Sequence, residues 1–249
     1  MISNPTISQL LPLFKKQSKI AVMTGAGISA ESGVPTFRDK QTGLWSKFNP
    51  QVLANFETFL QEPKLVWDWY DFRKKTIHEI SPNPGHFALA ELGKLFPDFT
   101  LITQNIDNLH QKAGSENVVE LHGSIERNYC ISCRKFKEIV EELPPKCDFC
   151  GGLVRPDVVW FGEMLPEDAL RFAFQKSKES DIFLCIGTSA VVYPAAQLPV
   201  EAARNGSKLI IINPEETEIS PFAAFHVFEK SGEYLPALVR ALKEKLNEK

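Results

Sequence analysis

Five short runs of this chain, residues 20–23, 99–102, 118–121, 182–186 and 209–212, are apolar or nearly so, and each stops abruptly at a polar or glycine-containing segment. A sheet with one wet face would alternate apolar and polar residues. Unbroken apolar strands are buried on both faces, the pattern of a parallel sheet covered by helices. Helix-compatible stretches at 86–95, 167–178, 195–204 and 235–246 fall between these runs or after the last, and residues 1–16 suit a short amphipathic helix ahead of the first strand. In open parallel sheets, ligands bind beyond the carboxyl ends of the strands. That edge would here gather Gln104, Asn105, Asp107, His122, Thr188, Ser189, Asn213 and Glu215, a set that packing alone does not require.

The first run leads into Gly25-Ala26-Gly27-Ile28-Ser29-Ala30, which satisfies the G-x-G-x-x-G/A spacing of dinucleotide-binding turns. Glycines there permit close approach, and a helix N-terminus favours a diphosphate. The same spacing also suits a tight strand-to-helix turn with no ligand. Two details argue against an ordinary hydride-transfer enzyme. No acidic residue about 20 positions on is placed to hold an adenine ribose, and the loop continues into the polar stretch Pro35-Thr36-Phe37-Arg38-Asp39.

Two segments break the alternation. Residues 44–80 look helical and are dense in aromatics, while 126–155 hold Cys130-x2-Cys133 and Cys147-x2-Cys150. Such paired knuckles in a reducing compartment point to zinc rather than disulfides. Four thiolates complete a tetrahedron and leave no open position, so the metal would be structural. Cys185, inside an apolar run, reads as a buried strand residue. The expected organisation is a sheet domain of 1–43, 81–125 and 156–249, with 44–80 and 126–155 forming a small second domain.

Composition narrows the class. A formal net charge of −3 argues against a general nucleic-acid or anionic-membrane binder, and residues 126–150 balance five basic against five acidic side chains, which is no basic footprint. No run approaches the ~18 apolar residues of a membrane span. The first residues lack a basic region and a cleavage site, so a cytoplasmic protein is expected.

Taken together, Gly25 to Gly33 with Phe37-Arg38, Thr103-Gln-Asn-Ile-Asp-Asn-Leu-His110, Leu121-His-Gly123, the four cysteines, Val158-Val-Trp-Phe-Gly-Glu163, Gly187-Thr-Ser189 and Asn213-Pro-Glu215 resemble the sirtuins, NAD-dependent protein-lysine deacylases. The pieces occur in family order and cover nearly the whole chain. The resemblance implies an α/β fold: a Rossmann-like parallel sheet covered by helices, a smaller helical plus zinc-ribbon domain, and a cleft between them for NAD and acyl-lysine. By the same resemblance, Gly25, Ala26, Gly27, Ser29, Phe37 and Arg38 would line the phosphate and nicotinamide-ribose region. Gln104, Asn105, Ile106 and Asp107 would hold the ribose and nicotinamide amide, with Asn105 also counted among the catalytic residues. Gly187, Thr188, Ser189, Asn213, Pro214 and Glu215 would bind the adenosine half, and Ser231 would close over adenine. Val159, Phe161 and Gly162 would contact the substrate. The resemblance makes NAD a consumed co-substrate and zinc a structural ion, with acylated lysines of proteins as partners and neither nucleic acid nor membrane; a monomer is expected.

His122 is the expected general base, since a neutral imidazole can accept a proton from a ribose hydroxyl near neutral pH. In the family scheme the acyl oxygen attacks C1′ and expels nicotinamide, giving an alkylimidate that the activated 2′-OH then attacks. The products are free lysine and 2′-O-acyl-ADP-ribose. His78, His86, His110 and His226 read as ordinary structural histidines, His86 near a helix start. Protein ADP-ribosylation would use the same NAD site and stays open as an alternative.

Tyr70 and Arg73 stand at i, i+3 on an expected helix and so share a face. A guanidinium beside a phenol can grip a carboxylate by forked, charged hydrogen bonds, although Arg73 also opens Arg-Lys-Lys and would suit a solvated basic face. The pair resembles the Tyr-x-x-Arg of the sirtuin subclass that removes succinyl and malonyl groups. Ala54, sixteen positions before Tyr70, matches the small residue that widens the pocket there.

Overall fold

The computed structural model describes residues 6–34, 49–140 and 142–247. In chain order the strands are β1 (Ile20–Thr24), β2 (Phe99–Thr103), β3 (Val119–Glu120), β4 (Gly123–Cys130), β5 (Val154–Val158), β6 (Ile182–Ile186), β7 (Lys208–Ile212) and β8 (Phe225–Val227). The helices are α1 (Ile7–Leu10), α2 (Ala26–Ala30), α3 (Pro50–Leu53), α4 (Phe56–Gln61), α5 (Pro63–His78), α6 (Pro84–Leu95), α7 (Leu109–Lys112), α8 (Glu167–Glu179), α9 (Gln197–Arg204) and α10 (Ser231–Asn247).

Six strands make one parallel sheet in the order β3-β2-β1-β6-β7-β8. Counted within that sheet alone, this is 3-2-1-4-5-6, the doubly wound Rossmann order, whose direction reverses between β1 and β6. Alternate residues of each strand enter different cores, as the period of two demands. Ile20 and Val22 pack with Leu89 of α6 and Leu238 of α10, whereas Ala21 and Met23 pack with Ala173 of α8 and Leu198 of α9. Both faces are therefore buried, which accounts for the unbroken apolar runs. Cys185 is 1% exposed in this second core.

The remaining strands, β4 and β5, form an antiparallel hairpin outside the sheet. They share a third core with α3, α4 and α5, joining Leu53, Phe59, Trp69 and Ile77 to Ile125, Cys130, Val154 and Trp160. Trp67 of α5 ties the two together, its indole N–H donating to the Val154 carbonyl at 2.8 Å.

Three features differ from the sequence expectation. The N-terminal helix is a single turn, α1, followed by a 3-10 turn at Leu11–Leu13, because Pro12 cannot continue the ladder. Helix α10 starts at Ser231 rather than near 235, and runs through Pro236. Strands β4, β5 and β8 were not foreseen, since each is short or rich in polar residues. Among the described residues no helix is long and apolar enough to cross a membrane.

Candidate active site

A cleft of about 500 Å³ opens at the carboxyl edge of the sheet, between it and the β4–β5 and α5 layer. Most of the residues expected to function line it: Gly25, Ala26, Gly27 and Ser29 after β1; Gln104, Asn105, Ile106 and Asp107 after β2; His122; Gly187, Thr188 and Ser189 after β6; Asn213 and Glu215 after β7. Ala54, Tyr70, Arg73, Val159, Phe161 and Gly162 line it from the other layer. Phe37 and Arg38 lie outside the described residues. Pro214 is exposed and not in the lining. Ser231 is absent from the lining too: it is buried at the start of α10, where its hydroxyl donates to Glu31 Oε1 at 2.5 Å.

The glycine turn after β1 also packs closely against the turn after β6. A Cβ on Gly27 would sit 2.7 Å from the Gly187 carbonyl oxygen, and one on Gly25 would sit 2.6 Å from Thr188 Cβ. The Gly27 N–H donates to the Gly187 carbonyl at 2.7 Å, and the Gly25 N–H to the Ile186 carbonyl at 3.1 Å. The two turns at the reversal point interlock, so these glycines serve backbone-on-backbone packing first. Fewer orphan N–H groups remain for an anion than the spacing alone suggests.

Beyond β2 the carboxamides are fixed by the same turns. Asn105 Nδ2 donates to the Gly25 carbonyl and to Ser29 Oγ, both at 3.0 Å, and Gln104 Nε2 donates to Thr188 Oγ1 at 3.1 Å. Asp107 is 4% exposed and accepts from the Leu109 N–H at 3.0 Å. Burial raises its carboxyl above the usual range, opposed by hydrogen bonds from Ser29 and Leu109 and by the charges of Lys112 and Arg73.

His122 sits between β3 and β4, where Gly123 turns the chain at φ +75° against the Asp157 carbonyl, leaving no room for a side chain. The His122 Nδ1–H donates to the Gln104 carbonyl at 2.8 Å. That bond fixes the tautomer and leaves Nε2 as the basic nitrogen. Burial lowers its pKa below the ordinary imidazole value, partly offset by the Gln104 carbonyl, so the ring is neutral near pH 7.

On the opposite wall, Tyr70 and Arg73 leave α5 side by side. Tyr70 is 2% exposed. Burial pushes its phenol up to about 12, so it stays protonated. Arg73 parts company with its neighbours in Arg-Lys-Lys: Lys74 pairs with Glu126 and Lys75 with Asp71, while Arg73 stands 5.0 Å over the Trp69 ring and in the cleft. Burial lowers its pKa, with Tyr70 and Asp107 acting the other way.

The four cysteines lie together as expected, their Sγ atoms all within 4.8 Å of one another, with Cys130–Cys150 at 3.5 Å and Cys133–Cys147 at 3.6 Å. Zn–S bonds of about 2.3 Å set tetrahedral sulfur–sulfur edges near 3.8 Å. The cluster fits a zinc ribbon, with no fifth protein ligand needed.

Sequence reasoning missed a buried histidine pair under the cleft floor. His86 and His110 have ring centroids 4.9 Å apart. The Asn83 N–H donates to His86 Nδ1 at 3.3 Å, and His110 Nε2 meets Thr24 Oγ1 at 2.9 Å. Burial drives His86 to about 4 and His110 to about 3, the latter with a small push from its neighbour. Both are neutral in the fold, whereas an unfolded imidazole titrates near 6.5. Below pH 6.5 the unfolded chain therefore binds more protons, and stability falls with pH down to the folded values. Taken alone, His86 with its value of about 4 corresponds to a loss of about 3 kcal/mol over that window. Asp107, with its raised pKa, works in the opposite sense. Denaturant melts from about pH 7 to about pH 4.5 should show the fall, and H86Q should flatten it; an unchanged profile in the variant would contradict the assignment.

Fold and cleft together define a Rossmann-type nucleotide-binding protein with a helical and zinc-ribbon layer closing one wall. Residues 25–194 match the model of the Sir2 family. The chain is 51% identical over 234 residues to an NAD-dependent protein deacylase of Aquifex aeolicus, covering 92% of this chain and 98% of that protein. It superposes on the crystal structure of a Sir2 homologue–NAD complex with a TM-score of 0.90 at 43% identity, covering 99% of this chain and 97% of the other. A Sir2 protein bound to an acetylated peptide superposes with a TM-score of 0.83 at 33% identity, over 98% of this chain and all of the other. The chain belongs to the Sir2 family, the sirtuins.

Proposed function

We propose that this sirtuin is an NAD-dependent protein-lysine deacylase that favours acyl groups ending in a carboxylate, and that it releases nicotinamide, free lysine and 2′-O-acyl-ADP-ribose. The names of its relatives and the cleft's neutral base support the deacylase reading. The acidic preference rests on one observation: Arg73 and Tyr70 project from one helix face into the cleft that also holds His122. A guanidinium lining the cleft can bind a carboxylate at the acyl terminus with matched fork geometry. Ala54, 3% exposed, keeps that wall shallow.

In this assignment NAD lies across the carboxyl edge of the sheet. Thr188, Ser189, Asn213 and Glu215 take its adenosine half, and Ala26, Gly27 and Ser29 the phosphates. Gln104, Asn105, Ile106 and Asp107 take the nicotinamide riboside. Val159, Phe161 and Gly162 flank the acylated lysine. Functionally, 44–80 and 126–155 act as one unit closing the cleft over the sheet domain. Thiol ligands suit a reducing, cytoplasmic location.

The test is mass spectrometry of nicotinamide and acyl-ADP-ribose over peptides carrying acetyl, malonyl and succinyl lysine. Succinyl or malonyl kcat/KM should exceed acetyl, and R73M should lower it by about 10- to 100-fold, the worth of a charged hydrogen bond, while acetyl turnover changes by less than about threefold. Equal kcat/KM for acetyl and succinyl peptides, unaltered by R73M, would sink the acidic preference. ADP-ribosylated protein in place of acyl-ADP-ribose would sink the deacylase reading.

A further inference from the structure

Tyr70 does not stand alone in the cleft wall. The Trp160 indole N–H donates to the Tyr70 hydroxyl oxygen at 2.7 Å, with both residues almost fully buried. A phenol has one proton and two lone pairs. Trp160 occupies a lone pair, and among the described residues no acceptor takes the Tyr70 proton. The proton is therefore the group left to offer, in a cleft wall shared with Arg73.

Trp160 is itself clamped. Arg155, 1% exposed, lies with its Cζ 3.4 Å from the indole centroid. Its guanidinium forks onto Glu163, Nη1 to Oε1 at 2.5 Å and Nη2 to Oε2 at 2.9 Å, and Nη2 also reaches the Val158 carbonyl at 2.7 Å. Glu163 Oε2 accepts from the Trp160 backbone N–H at 2.8 Å. On its other sides the indole meets Phe59, centroids 5.2 Å apart, and Phe56 at 6.4 Å. The next residue, Phe161, donates its N–H to the Ala54 carbonyl at 3.1 Å, fastening this segment to the pocket's small residue. Such a bidentate charge pair, stacked on the ring, suits holding the indole N–H in a fixed direction.

On the acidic-acyl reading above, we propose that Trp160 is a positioning residue for acyl specificity: it fixes the rotation of the Tyr70 hydroxyl so that its proton, not its lone pair, meets the acyl terminus. A carboxylate accepts that proton; an acetyl methyl gains nothing from it. Trp160 therefore acts through Tyr70 and discriminates between acyl groups without touching Arg73.

W160F keeps an aromatic ring between Arg155 and Phe59 and deletes the N–H. The expected result is a rise of about tenfold in KM for the succinyl peptide with kcat nearly unchanged, the scale of one hydrogen bond, and acetyl kinetics within about twofold of wild type. In a Y70F background the same substitution should have no further effect on succinyl KM. A melting curve checks folding. If the phenylalanine variant does not fold, W160H, which keeps a ring N–H, must retain the succinyl preference. Equal losses on both acyl peptides, or additive effects of W160F and Y70F, would overturn the assignment while leaving the acidic reading intact. A wild-type enzyme without acidic preference overturns both, and R73M separates the cases: it must change succinyl kinetics for the reading to stand.

Discussion

Removal of zinc is expected to unfold the β4–β5 module and abolish turnover, although none of the four cysteines lines the cleft. Among the described residues between β4 and β5, the strand pairing is limited to the isolated bridges Tyr129–Phe136 and Lys146–Leu153, and Phe136, Ile139 and Phe149 are each more than 60% exposed. With so little regular pairing, the sulfur cluster is the main staple of this segment. Structural zinc sites bind with about 10–16 kcal/mol, and that energy is folding energy because no such site exists in the unfolded chain. The four Sγ atoms already lie within 4.8 Å of one another, so the fold gathers the ligands into one place. The damage would spread, because β5 begins at Val154, which anchors Trp67, and carries Arg155, which holds Trp160. A strong chelator, or C147S, should remove the module's melting transition and reduce deacylation to background, with the sheet core still folded. A metal-free sample with a native melting curve and full activity would refute this.

How much of this was legible in the sequence depends on how local each signal is. The sheet was readable because a strand buried on both faces writes its environment into consecutive residues such as Ile182–Ile186. The zinc cluster was readable because two C-x2-C knuckles carry their own geometry. The meaning of Gly25 and Gly27 was only half readable: the spacing announces a tight turn, but that Gly187 is the surface it presses against follows from the strand order. His86 and His110 looked ordinary because their pairing joins two segments that no periodicity links. Trp160 was hidden for the same reason, its partner lying 90 residues away on α5. The bond from Ser231 to Glu31 was equally hidden, because it joins positions 200 residues apart.

Replacing His122 is expected to separate the two halves of the reaction. In the proposed sequence nicotinamide leaves when the acyl oxygen attacks C1′, a step that needs no proton removed by His122. The base acts afterwards, taking the proton from the 2′-hydroxyl so that this oxygen can attack the acyl carbon. H122A should therefore lower deacylation kcat by about 10²- to 10⁴-fold, the range for a general base. Exchange of labelled nicotinamide into NAD, which requires only the first half, should persist. The pH profile gives a second reading of the same group. Because burial lowers the His122 pKa, the acidic limb of kcat/KM should lie below pH 6.5, the ordinary imidazole value, with activity falling as pH drops through the folded pKa. The Gln104 carbonyl that accepts from Nδ1 sets which nitrogen is basic, and it is a backbone atom, so substituting the Gln104 side chain should leave the limb where it is. Loss of nicotinamide exchange together with deacylation in H122A, or an acidic limb above pH 6.5, would remove His122 from the role of base.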